Sequence, residues 1–273
     1  MNFKKINNVT IGSDPEMFLW SEEKQKFVPV CGLIGGTKDQ PLPISDTGHF
    51  IQEDNVAVEF CIPPCKTEDE FVDNLLFGKE YVQKRIESMG LSLKCVASAN
   101  FDINDLQSEQ AKHFGCDPDF NVYLLDQNVI DKSKIDPTLR SCGMHIHVGY
   151  DNHNPETSFE LVKAFDLIAV LPSILIDDDT QRRSLYGKAG CFRIKEKYGI
   201  ELRSLSGYFM NSENSMRWVY QKTMESINFV NSGGIITNES DIEEAINTSN
   251  KELAEEILDD YRILNNYEFL KLN

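Results

Sequence analysis

Three separate stretches of this chain each set two chemistry-bearing residues two positions apart: Asp14 and Glu16, His145 and His147, Glu201 and Arg203. Two is the side-chain period of a β-strand, so each pair aims both of its groups at one surface, whereas a helix would turn them to different faces. Glu59 joins the set, in a run from Val56 to Ile62 that alternates like a strand and is closed by Pro63-Pro64. A sheet that gathers these strands presents a floor of carboxylates and imidazoles. Ionised carboxylates at close range raise one another's pKa and destabilise a fold, and Mg²⁺ or Mn²⁺ relieves that repulsion by oxygen coordination. The expectation is a metal site built from Asp14, Glu16, Glu59, His145, His147 and Glu201.

Each member has a plainer alternative. Asp14-Pro15 also fits a turn, Glu59 an edge-strand charge, the histidines a core or surface position, and Glu201 with Arg203 a cross-strand ion pair. Their joint occurrence on three or more strands favours a site. Cys142 and His145 have C-x-x-H spacing, which would suit zinc, but oxygen donors outnumber soft ones and favour a harder cation.

A second ingredient lies between Arg182 and Arg193. Arg182, Arg183, Lys188 and Arg193 share this loop with Gly187 and Gly190, although the whole protein is strongly acidic, with 27 Lys and Arg against 44 Asp and Glu. Arginine offers planar paired donors, lysine a point charge, and glycine a close backbone approach, which together suit a phosphate or carboxylate. The alternative is a solvated basic loop facing an acidic surface. Gly35-Gly36-Thr37-Lys38 lacks P-loop spacing and reads as a turn or a substrate loop. A net charge of −17 disfavours nucleic acid as a partner.

The seven cysteines, at 31, 61, 65, 95, 116, 142 and 191, are odd in number and scattered, as expected of reduced, mostly buried cytosolic thiols. No apolar leader follows Met1 and no stretch is apolar enough to span a bilayer, so a cytoplasmic protein with no membrane partner is expected. Oligomeric state is not legible.

The pattern predicts one strand from Val9 to Trp20 through Asp14-Pro15-Glu16, and others at Val56–Ile62, Leu91–Ala97, Met144–Tyr150 and Ile200–Leu205. Thr67 and Glu70 form a capping box for a helix ending at Gly90, Asn154-Pro155 opens a second that kinks near Pro172, and Met216–Val230 forms a third. The long Asp-, Asn- and Pro-bearing stretch before Met144 is expected to fold over the site. Together these elements predict an α+β fold with a mainly antiparallel sheet and flanking helices, residues 1–234 forming a catalytic domain and 235–273 an acidic helical tail packed on it.

Five ordered motifs resemble the amidoligase superfamily, and within it the phage-type carboxylate-amine ligases (COOH-NH2 ligase, type 2). They are Ile11-Gly-Ser-Asp-Pro-Glu16, Asp54-Asn-Val-Ala-Val-Glu59, Gly143-Met-His-Ile-His-Val-Gly149, Leu185-Tyr-Gly-Lys-Ala-Gly190 and Tyr198-Gly-Ile-Glu-Leu-Arg203. They span roughly the first three quarters of the chain and leave the tail uncovered. The resemblance implies the curved antiparallel sheet of glutamine synthetase and glutamate-cysteine ligase, with ATP and Mg²⁺ or Mn²⁺ on its concave face. Those relatives carry Glu-x-Glu where this chain has Asp14-Pro-Glu16, which makes Asp14 a weaker counterpart than Glu16. Of their two second-strand glutamates only Glu59 has a clean equivalent, with Glu53 or Asp54 at another spacing. The implied activity is ATP-dependent amide formation through an acyl phosphate, Glu201 acting as a metal ligand and Arg203 near the transferred phosphate. Arg182, Arg183, Lys188 and Arg193 are expected to assist at the nucleotide, and Arg203, Arg193 and Lys188 in catalysis. The substrates would be small-molecule or peptide carboxylates and amines, in host cytoplasm if the protein is phage-encoded. A metal-dependent hydrolase and an inactive nucleotide-binding protein of the same fold are the alternatives.

Overall fold

The computed structural model describes residues 5–113, 119–128, 132–263, 267 and 270; Cys116 lies outside them. In chain order the strands are β1 (Thr10–Ser21), β2 (Lys26–Val28), β3 (Leu42–Pro43), β4 (Phe50–Asp54), β5 (Ala57–Cys61), β6 (Leu91–Lys94), β7 (Ser98–Asn100), β8 (Phe120–Asn121), β9 (Asp126–Gln127), β10 (Leu139–Ser141), β11 (Met144–Gly149), β12 (Cys191–Lys195) and β13 (Gly199–Leu202). The main sheet runs β3-β4-β5-β1-β11-β13-β12-β8-β9, with β2 and β6 also on β1 and a separate β10-β7 pair. Every described pairing is antiparallel. The mixed helical and antiparallel class is therefore as expected.

β1 is the spine of this sheet and changes neighbours along its length. Thr10 to Pro15 pair with β11, while Phe18 to Ser21 pair with β6. The other edge meets β5 at Glu16 and Met17 and β2 from Leu19 to Ser21. Pro15 is tolerated within this central strand because its missing N–H falls on the β5 side, where odd-numbered residues such as Ile11 and Ser13 make their bonds; the neighbouring Glu16 N–H still donates to the Gly143 carbonyl on the β11 side.

Among the described residues the α-helices are α1 (Glu68–Glu87), α2 (Glu109–Lys112), α3 (Pro155–Phe165), α4 (Leu171–Ile176), α5 (Arg182–Leu185), α6 (Glu213–Asn231), α7 (Glu239–Thr248) and α8 (Lys251–Asp260). Thr67 caps α1 and closes a box with Glu70, and Asn154 caps α3 with Pro155 in the first turn. Where a kink at Pro172 was expected, a π-turn spans Asp166–Val170 and leads straight into α4. Pro172 lacks the N–H that would bond the turn before it, and its ring crowds the carbonyl four residues back, so the preceding turn widens.

α1 and α3 lie against the sheet, and α6 packs on both. Between them sits a core that includes Met17, Leu19, Val58, Phe60, Ile146, Val148, Ile200 and Leu202, the alternate positions of the strands that carry the polar pairs. Ile242, Ile246, Ile257 and Leu258 of α7 and α8 belong to the same core, so apolar packing continues past Gly234. A smaller cluster of Phe18, Val56, Ala57, Phe101 and Leu106, with Phe18 and Phe101 edge-to-face at 5.1 Å, covers the opposite face of β1 just beyond Glu16. This cluster bounds the polar floor at one end. No helix among the described residues is long and apolar enough to cross a membrane.

Candidate functional site

Register assembles the site. Glu16 pairs with Glu59 and Glu59 with Gln52; Asp14 pairs with His145; His147 pairs with Gly12 on one side and Glu201 on the other, and Glu201 pairs with Arg193. A polar row therefore crosses β4, β5, β1, β11, β13 and β12 on the face opposite the main core. A slip of one residue in any of these strands would send its ligands into the apolar layer.

Two separate groups of donors stand out, and a third set shares one member with each. Glu16, Asp54 and Glu59 each bring one carboxylate oxygen within 4.8 Å of the others, and Asp14, His145 and Glu201 do the same with two oxygens and an imidazole nitrogen. Asp14, Glu59 and Cys61 make a third such set, Cys61 following Glu59 by two on β5. Glu53, the other acid of the β4 end, turns away: its carboxylate accepts the backbone N–H groups of Gly32, Ile34 and Gly35 at 2.7–2.8 Å and braces the Gly35-Gly36 turn. Asp54, not Glu53, is thus the acid that accompanies Glu59.

The electrostatics divide the floor in two. Burial, reinforced for Glu59 by Asp14, Glu16 and Asp54, pushes its carboxyl well above the usual range, and burial with Asp54 raises Glu16 to about 7 despite His145 and the Gly143 N–H, which donates to Glu16 at 2.6 Å. Burial also opposes ionisation of Asp14 and Glu201, but there opposite charges win. His147 and His145 hold Asp14 well below the carboxylate range, and Arg203 with both histidines brings Glu201 down to about 2. The first half is short of positive charge, and three oxygen donors drawn together there fit a hard divalent cation. The second half is already rich in cations: Arg203 and Lys195 contact Glu201, Arg193 Nη1 stands 3.7 Å from it, and Arg203 Nε lies 2.5 Å from Asp119 Oδ1.

A cavity opens beside the first half, lined by Glu16, Asp54, Asn55, His145, Arg140, Arg182 and Arg203 among others, with about 520 Å³ of empty space continuous with solvent. Gly143 at its wall has no room for a side chain, because a Cβ there would lie 2.7 Å from His145 Nε2. The four cations of the 182–193 loop have parted. Arg182 is buried, donating from Nε to the Cys142 carbonyl, from Nη1 to that of Ser204 and from Nη2 to that of Arg203, at 2.9, 2.9 and 3.2 Å. It lines the cavity while clamping the ends of β11 and β13. Arg183 turns toward Ser173 and the Asp179 carbonyl, with burial lowering it to about 10. Arg183 and Lys188 are not among the cavity-lining residues; the Lys188 carbonyl accepts from Ser204 Oγ. Arg193 reaches the floor itself. Gly187 is required where it stands, with φ +78° and Arg182 Nη1 occupying the space a Cβ would take.

Three participants were not singled out from sequence, and a fourth, Asp54, was named only as an alternative to Glu53. Asp119 sits in the stretch expected to fold over the site, where nothing but polarity marked it. Lys195 follows Arg193 by two on β12, a repeat of the same period-two signal. Asp54 begins a motif but is offset from Glu59 by five residues, a spacing only a hairpin can close. Tyr198 lies in the turn before β13, its hydroxyl 2.5 Å from His147 Nδ1.

Residues 138–262 match the sequence model of the family described as phage phiEco32-like COOH.NH2 ligase-type 2. The match begins after Asp14, Glu16, Asp54 and Glu59 and runs past Gly234 into the tail helices, unlike the motif resemblance, which ended near residue 203. No curated protein gave a match. Solved structures similar to this chain include a glutamine synthetase from Plasmodium falciparum, at TM-score 0.41 and 11% identity over 82% of this chain and 52% of that one. A bifunctional glutathione synthetase from Pasteurella multocida gives 0.43 and 9%, over 93% and 49%, and a glutamine synthase homologue 0.42 and 12%, over 93% and 65%. The chain spans about half the length of the first two. No residue role follows from overlap at this level.

Proposed function

We infer that this chain, whose residues 138–262 match the model of the phage phiEco32-like COOH.NH2 ligase-type 2 family, is a carbon–nitrogen ligase that joins a carboxylate to an amine with ATP as co-substrate. The observation that carries the reading is the divided floor. Buried Glu16 and Glu59, drawn together with half-buried Asp54, stand on the same face as the guanidinium groups of Arg203 and Arg193, beside a cavity open to solvent. Acids alone would indicate only a metal; cations next to them indicate an anion that the metal also touches.

In this reading Glu16, Asp54 and Glu59, with Glu201 and the β11 histidines, hold Mg²⁺ or Mn²⁺, which supplies charge neutralisation at the ATP phosphates during phosphoryl transfer. The acid substrate's oxygen attacks the terminal phosphorus, ADP leaves, and the amine then displaces phosphate from the acyl phosphate to give an amide. Arg203, fixed between Asp119 and Glu201, and Arg193 beside it are positioned to donate to the carbonyl oxygen and leaving phosphate as negative charge grows there. Arg182 acts from beneath by holding the backbone of Arg203, and Arg183 by tying its loop to Ser173. Lys188, on the same loop, is the further candidate for a phosphate contact.

Coupled ADP release tests the reading. A ligase should release ADP only when Mg²⁺, ATP, an acid and an amine are all present, screened as paired amino acids and amines. Metal-dependent hydrolysis that proceeds without nucleotide would instead establish the hydrolase alternative. Mg·ATP binding by calorimetry that survives Glu16→Gln and Glu59→Gln together would remove the proposed metal site.

A further inference from the structure

We infer that the C-terminal helices take part in nucleotide binding: Asn247, in the last turn of α7, is a positioning residue that locks the 186–190 loop and so holds Lys188 toward the ATP phosphates. This duty presupposes the ATP reading above and adds to it a residue from outside the sheet.

The loop backbone is gripped from several directions. The Tyr186 N–H donates to the Arg182 carbonyl at 2.8 Å, and the Gly190 N–H to Asp166 Oδ2 at 2.5 Å. The carbonyls of Lys188, Ala189 and Gly190 accept from Ser204 Oγ at 2.9 Å, Asn121 Nδ2 at 3.2 Å and the Val122 N–H at 3.0 Å. A further hold comes from the tail. Ala189 is fully buried, so water cannot serve its N–H, which donates instead to Asn247 Oδ1 at 2.9 Å. Among the described residues this is the only hydrogen bond of the Asn247 side chain, so its carboxamide serves the loop alone. α7 is a firm base for that contact. Ile242, Ala245 and Ile246 bury it in the core, and the Lys163–Glu239 ion pair at 2.8 Å ties its start to α3.

Against this fixed backbone the Lys188 ammonium stands uncommitted. It belongs to a half-buried residue, and among the described residues it donates no hydrogen bond and forms no ion pair, although the chain carries 44 Asp and Glu. A partly desolvated cation gains most from an anion that comes to it. The Lys188 carbonyl bonds Ser204, the residue after Arg203, and the Arg203 N–H donates to the Cys191 carbonyl at 3.1 Å. The loop therefore lies along the chain that brings Arg203 to the floor. Lys188 supplies a point charge and Arg203 planar paired donors, a combination suited to an anion with several charged oxygens, such as a row of phosphates. The ammonium is useful there only if its backbone does not drift, since a displacement of about 1 Å can cost on the order of 100-fold in rate.

The test is calorimetric titration of the full chain with Mg·ATP. Lys188→Met should weaken binding roughly 30-fold, the loss of one charged contact. Asn247→Leu keeps the size of the side chain but not its acceptor, and should weaken binding roughly 10-fold. In the double variant the losses should not add, Asn247→Leu costing less than about 2-fold once Lys188 is gone, whereas a merely structural role would give additive losses. Because Asn247→Leu can fail to fold, hydrogen exchange of the wild-type protein provides a second readout: Mg·ATP should slow exchange both in residues 186–190 and at the end of α7, residues 244–249. Additive losses, unchanged binding in either single variant, or protection of the loop without α7 would overturn the assignment while leaving the ATP reading standing. Wild-type protein that binds no Mg·ATP would overturn the ATP reading and this assignment together.

Discussion

Replacing Glu16 with glutamine should make the metal-free protein more resistant to high pH, and the effect can be worked out in advance. Burial raises the Glu16 carboxyl from 4.5 to about 7 in the folded chain. Below pH 4.5 the group is protonated whether the chain is folded or not, and its contribution is constant. Between pH 4.5 and 7 the unfolded chain loses this proton while the folded chain keeps it, so stability falls as pH rises. A difference of about 2.5 units at about 1.4 kcal/mol each amounts to roughly 3 kcal/mol lost by pH 8. For a chain of 273 residues that is about 6 °C in melting temperature. Glu16→Gln has no such proton to lose and can still accept from the Gly143 N–H. Melting curves in chelator at pH 5 and pH 8 should therefore show the variant gaining about 6 °C on the wild type between the two. Mg²⁺ at about 100 times its Kd should return about 2.7 kcal/mol to the wild type at pH 8 and markedly less to the variant. A gap between the two proteins that is the same at both pH values, or an equal Mg²⁺ shift in both, would refute the reasoning.

Arg203→Lys keeps the charge between Asp119 and Glu201 but loses the planar donors, and ADP release should fall roughly 100-fold with KM for the acid little changed, measured by coupled assay. Gly187→Ala forces a side chain into a left-handed backbone and into the Arg182 guanidinium; urea denaturation should show a loss of at least ~2 kcal/mol. Asp166, buried on the π-turn and accepting from the Gly190 N–H and Tyr123 hydroxyl, is pushed up to about 7 by burial, so its contribution to stability also declines as pH rises from about 4 toward 7. Asp166→Asn should flatten that part of the stability profile in chelator without altering the Mg²⁺ shift; an unchanged profile would count against it.

What could be read from sequence was whatever repeats with period two. Asp14 and Glu16, His145 and His147, and Glu201 all land on one face because alternation is a local property of strands, fixed before any tertiary contact forms. Glu201 and Arg203 also share a strand-end environment, as their spacing implied. The loop cations were harder. Arg182 and Arg183 are adjacent in sequence and equivalent by composition, yet one lies under the site and the other against Ser173, because α5 turns successive side chains in different directions. Asp119 was hidden, and Asp54 could not be told from Glu53, for the opposite reason: their partners lie in a distant strand or across a hairpin, and no local pattern encodes a nonlocal pairing. The kink expected at Pro172 became a π-turn one step earlier, since a proline disturbs the turn that precedes it.

The handover along β1, from β11 at its start to β6 at its end with β5 on the other edge, bears on how the protein comes into being. Glu16 and Glu59 meet through strands made early in synthesis, but β11 and β13 are needed to bring in His145 and Glu201. Until both have been made and inserted, a nascent chain holds close-set acids without the arginines and imidazoles that balance them, and its longest strand has the Thr10–Pro15 part of one edge unpaired. Such a chain should be slow to commit and prone to stick to others, as pairings distant in sequence generally are. Divalent cation present during refolding, rather than added afterward, should be what raises the yield.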